Sequence, residues 1–98
     1  MDKKTKRYID LTINDLILKG DVVGVLEWIQ RETSISSFGD LALGYMIGGA
    51  TSMAHSYIVL SEKRAITDKD KIEVRKLLRK RLPDFLERVE REKNKHSL

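Results

Sequence analysis

The chain has no cysteine and a single proline, and only 6% of its 98 residues are aromatic. Without thiols there is no disulfide framework, no thiolate metal ligand and no cysteine nucleophile, and a reducing cytoplasm is the compartment that fits. One proline beside several helix-start signals speaks against an all-β fold. Amides are scarce as well: Asn14, Asn94 and Gln30 are the whole set in a chain with 35% charged residues, a balance that fits a thermophilic source. The basic start is followed by Asp10 and Asp15 inside the first apolar stretch, so no signal peptide is expected. No phosphate loop, dinucleotide fingerprint, nucleophile elbow or His-Glu-x-x-His pair occurs, zinc lacks a ligand set, and no cofactor is expected.

The most informative absence is local. From Leu41 to Leu60 there is no Asp, Glu, Lys or Arg over twenty residues. That length would just span a bilayer, but Thr51, Ser52, His55 and Ser56 crowd its centre, where polar groups cost most, and the flanking charges show no inside bias. A membrane helix is therefore not expected. The segment reads instead as the central helix, at about 38–63, of an all-α bundle of four to five helices forming one domain over 1–98, with 1–4 and 93–98 flexible.

What surrounds it is amphipathic. Ile9, Ile13, Leu16 and Ile17 lie on one helical stripe, which predicts a helix over 5–19 with Gly20 as a left-handed cap. Asp21 then starts a short second helix carrying Val22, Val25, Leu26 and Ile29 up to Arg31. Ser37 with Asp40, and Thr67 with Asp70, have capping-box spacing and open the next two helices. Val74, Leu78, Leu82, Phe85 and Val89 stay in phase across Pro83, where the last helix either kinks or restarts. A competing reading makes Gly48-Gly49 a hairpin turn with 57–60 as a strand.

Within the charge-free helix, 100° per residue places Leu41, Gly44, Gly48, Thr51, His55 and Val59 on one side and Leu43, Met46, Ala50, Met53, Ala54 and Tyr57 on the other. Both sides need cover. Gly44 and Gly48 have the spacing that lets helix axes approach closely, either against another helix of the chain or against a second copy. Gly44, Gly48, Thr51 and His55 are accordingly the candidate helix–helix or dimer contacts. A non-enzymatic interaction or scaffold protein acting as a homodimer is the leading expectation.

Charge carries the alternative. The net charge is +4, and its distribution is uneven, with residues 1–7 at +3, 8–61 at −4, 62–81 at +5 and the remainder balanced. Arg75, Lys76, Arg79 and Lys80 form a basic stripe opposite Val74 and Leu78, suited either to a phosphate backbone or to the acids Asp10, Asp15, Asp21, Glu27 and Glu32 of the first two helices. Trp28, Phe38 and Phe85 sit where core packing uses them rather than base stacking. A third reading centres a small enzyme or ligand carrier on His55, with Ser52 and Glu62 near it and Tyr45 and Tyr57 as lining groups. Opposite charges at Asp84/Arg88, Glu87/Arg91 and Arg88/Glu92 suit a solvent-exposed last helix.

Overall fold

The computed structural model describes residues 1–22, 24, 27, 28, 31 and 37–96, and among them the elements are helices with no strand. Three helices follow in order: α1, Lys3–Lys19; α2, Phe38–Glu62; and α3, Asp68–His96. The class is all-α as expected, and among the described residues three helices are bounded rather than four to five, for two reasons. Residues 68–96 form one helix running through Pro83 without a restart. Half of the expected helix over 22–31 lies outside the described residues, and the described half, Val22, Gly24, Glu27, Trp28 and Arg31, is helical. The hairpin alternative fails because Gly48, Gly49 and 57–60 are all helical.

α1 starts two residues before its expected position. Asp2 takes an extended conformation and its carboxylate accepts the Thr5 N–H at 2.7 Å, satisfying a free donor of the first turn. These bonds to Thr5 hold the Asp2 carboxyl below the usual carboxylate range. Gly20 ends the helix in an extended conformation, φ −61°, not the left-handed one expected. A Cβ there would lie 2.6 Å from the Leu16 carbonyl oxygen, so glycine is needed for close approach. The terminus is closed from α3, where Arg88 donates to the carbonyls of Ile17 and Gly20.

The 37/40 box is not formed as expected: the Ser37 hydroxyl donates to the Asp40 carboxylate at 2.8 Å, leaving no side-chain cap on α2. The 67/70 box is formed. Thr67 N–H donates to Asp70 at 2.9 Å and Asp70 N–H donates to the Thr67 hydroxyl at 3.2 Å. α2 itself ends at Lys63 with φ 52°, a left-handed conformation that reverses the chain towards α3.

Cross-helix contacts define an up-down-up bundle. Thr5 meets Ser61 at 3.1 Å and Tyr8 stacks on Tyr57, so α1 and α2 run antiparallel. Arg81 reaches Asn14 and Arg88 reaches Ile17, so α1 and α3 run parallel. A helix the length of α3 extends about 43 Å at 1.5 Å per residue, which accounts for the 42 Å long axis of the molecule. The core gathers Thr5, Ile9, Ile13 and Ile17 from α1, Ala42, Met46, Ala50, Ala54 and Ile58 from α2, and Val74, Leu77, Leu78, Phe85 and Val89 from α3. Each set recurs every three or four positions, as a helix burying one side requires.

Candidate functional site

α2 buries one narrow stripe, every fourth residue from Ala42 to Ile58, and three of its five members are alanine. The small side chains let α1 and α3 lie close. The rest of α2 is presented outward without a charge: Gly44, Tyr45, Gly48, Ser52, Met53, Ser56, Val59 and Leu60 are exposed, and Leu41, Thr51 and His55 are half-buried. Leu60 is 76% exposed and Met53 45%.

Among the described residues, Gly44 and Gly48 do not pack closely against another helix of the chain. A Cβ built on either residue, or on Gly49, has nothing within 4 Å. Each glycine weakens α2 by about 1 kcal/mol relative to alanine, and among the described residues no close approach offsets that cost. Thr51 keeps its hydroxyl satisfied by donating to the Ile47 carbonyl at 2.7 Å, so it adds no free polar group to the face. Beside the face, Tyr8 and Thr12 of α1 with Met53, Tyr57 and Leu60 of α2 line an open, largely apolar groove. Its floor is the Tyr8/Tyr57 stack, with centroids 3.8 Å apart.

The basic stripe is on the outer side of α3. Arg75, Lys76, Arg79 and Lys80 are all exposed, and among the described residues none has an acid within salt-bridge distance. The acids of α1 therefore do not neutralise it, and Glu32 lies outside the described residues. Arg81, the fifth cation of the run, turns inward to Asp84 at 2.8 Å and Asn14 at 3.0 Å.

The residues proposed around His55 are not assembled into a proton-transfer site. Glu62 is engaged by Arg64 at 3.0 Å and by the Asp2 N–H, and His55 shares no hydrogen bond with Ser52. Tyr57 is held in the stack with Tyr8, and Tyr45 is exposed on the α2 surface. His55 borders an open depression with Ser56, Val59, Leu60 and Ile66. Among the described residues no group of three or more His, Asp or Glu is placed to hold a metal ion, and no helix is long and apolar enough to cross a membrane.

Three features escaped the sequence. Trp28 is 58% exposed rather than in the core, whereas Phe85 is fully buried, and the Phe38 side chain lies outside the described residues. Arg88 is buried, and instead of pairing with Asp84 it caps α1 while holding Glu92 at 3.0 Å. Arg64 forms a two-pronged ion pair with Asp70, at 2.6 and 2.9 Å.

The described residues thus define an all-α fold whose three bounded helices present one charge-free outer face and one basic outer face. No protein-family model matches this chain, and no curated protein or solved structure is similar to it.

Proposed function

We propose that this chain is a non-enzymatic interaction protein that works as a homodimer, with the outer face of α2 as the contact. The observation that supports the reading is the combination of exposed Gly44 and Gly48, with no neighbour within 4 Å among the described residues, and a face free of charge from Leu41 to Leu60. Apolar surface of this extent on a small chain is a reason for association, and the glycines permit a helix of a second molecule to come close. Thr51 and His55 lie on the edge of the same face. The cysteine-free composition suits a cytoplasmic dimer held by packing alone.

The test is the solution mass. Light scattering at high micromolar concentration is expected to give twice the 11.3 kDa of the chain and to fall towards one copy on dilution. A strict monomer throughout would remove the reading.

The stripe Arg75, Lys76, Arg79 and Lys80, which meets no acid among the described residues, favours a second activity, sequence-nonspecific binding of nucleic acid through phosphate contacts. Affinity for a short duplex is then expected to drop by at least about tenfold between 50 and 200 mM salt. Arg79→Glu with Lys80→Glu is expected to abolish binding. Unchanged binding by that variant would discard the proposal.

A further inference from the structure

Resting on the nucleic-acid reading, we infer that the ligand of the basic stripe is a duplex, with α3 seated over one groove, Arg75 and Arg79 on the phosphates of one strand and Lys76 and Lys80 on those of the other. The spacing of the four cations supports this. At about 100° per residue, Arg75 and Arg79 form one column along α3, and Lys76 and Lys80 form a second about 100° further round. Members of a column are about 6 Å apart. On a helix about 10 to 12 Å across, the columns themselves lie about 10 Å apart. The charges make a broad plate rather than a line.

The plate is open and bounded. All four side chains are exposed, and among the described residues no acid lies within salt-bridge distance of them. Arg75 donates from Nε to the Lys71 carbonyl at 3.4 Å, and its two terminal nitrogens carry no bond among the described residues. Towards the C-terminus, Glu87 and Glu90 are exposed on the same outer side, Glu90 only loosely held by Lys93 at 3.8 Å, and they repel a phosphate backbone that continues along α3. Towards the N-terminus, Asp68 and Glu73 offset Lys69 and Lys71. Contact is therefore confined to the four cations of the plate.

Geometry and the aromatic residues both favour a duplex over a single strand. The grooves of B-DNA are about 6 and about 12 Å wide, so two columns about 10 Å apart, carried on long side chains, reach both rims of one groove at once. A single strand must be bent and ordered to fill the same plate, an entropic cost that a duplex has already met. Proteins that bind single strands offset it by stacking bases on aromatic rings. Here that platform is missing. Phe85, the one Phe, Tyr or Trp of α3, is buried, while Tyr8 and Tyr57 are stacked on each other between α1 and α2.

Fluorescence anisotropy of a labelled, short, mixed-sequence DNA duplex, and of one of its strands alone, titrated with the chain at several salt concentrations, tests the arrangement. Four phosphate contacts give log affinity against log salt a slope of about −3.6, a loss of roughly a hundredfold between 50 and 200 mM. The duplex is expected to bind at least about tenfold more tightly than the single strand. Arg75→Gln with Arg79→Gln removes one column and Lys76→Gln with Lys80→Gln the other, and each pair is expected to halve the duplex slope to about −1.8. All four positions are exposed, so neither pair disturbs the core. A single strand bound as tightly as the duplex would overturn the duplex while leaving the nucleic-acid reading in place. If one pair removes the salt slope and the other leaves it unchanged, the seating on two strands is wrong. No duplex binding at low salt would overturn the reading beneath both.

Discussion

On the proposed homodimer, a Gly48→Glu chain is expected to stay monomeric at concentrations where the native chain associates, with its fold intact. Nothing lies within 4 Å of a Cβ at this position, so the new side chain meets no obstacle inside one copy. Replacing glycine in an exposed helix interior also restricts the unfolded chain, so the folded monomer should gain up to about 1 kcal/mol. In the proposed dimer the same side chain enters the contact between the two copies of α2. There it wedges the axes apart and takes a carboxylate out of water without a counter-charge, on both copies at once. A penalty of about 3 kcal/mol or more corresponds to a dissociation constant raised at least a hundredfold. Light scattering measures the second effect and thermal unfolding, extrapolated to low concentration, the first. A variant that dimerises as tightly as the native chain would show that this face is not the contact.

That expectation depends on which side of α2 is covered, which sequence reasoning could not settle. For α1 the period was plain, since Ile9, Ile13 and Ile17 stand out among Lys, Asp and Thr, and the structure buries that stripe. In α2 there is no charged side to contrast with. The buried stripe of Ala42, Met46, Ala50, Ala54 and Ile58 differs little in polarity from the exposed Gly44, Gly48 and Ser52. Only the positions of α1 and α3 separate them. Met53, on the side opposite the glycines where cover was expected as on the other, is 45% exposed and borders the groove between α1 and α2. At Pro83 the structure excludes the restart that the sequence left open beside a kink. A long helix with a well-filled apolar side can carry one missing hydrogen bond, and Phe85 and Val89 keep the helix on the core beyond it. Arg88 and Arg64 were illegible because their partners are not local in pattern. Arg88 reaches carbonyls 71 and 68 positions away in the chain, and the Arg64 contact depends on the left-handed turn at Lys63.

Asp70→Asn is expected to be the most destabilising conservative substitution at the junction of α2 and α3. The carboxylate is 2% exposed and answers four donors at once: the Thr67 N–H and hydroxyl, each at 2.9 Å, and both prongs of the Arg64 guanidinium. The Met1 amine stands further off, at 3.9 Å. One side chain therefore closes the capping box of α3, neutralises the cation of the preceding turn and fills the gap beneath it. Asparagine keeps the shape, but it turns an NH₂ group towards a guanidinium that offers only donors. The loss should be about 2 to 4 kcal/mol, reduced from that of a fully buried pair because Arg64 remains partly in water. For a chain of this size that lowers Tm by about 10 to 20 °C. The pH dependence provides an independent check. Arg64, followed by the Thr67 bonds, holds the Asp70 carboxyl well below the usual carboxylate range, against an unfolded value of about 3.9. A depressed folded value contributes stability that is fully present above the unfolded one and is lost as pH falls towards the folded one. Arg64 stays charged throughout, because the same pair raises its pKa, and adds no slope of its own. The gap in stability between the native chain and Asp70→Asn should thus be widest above about pH 5 and narrow progressively below about pH 4. Equal stability at neutral pH, or a gap unchanged down to pH 2, would show that the four bonds to this carboxylate do not hold the two helices together.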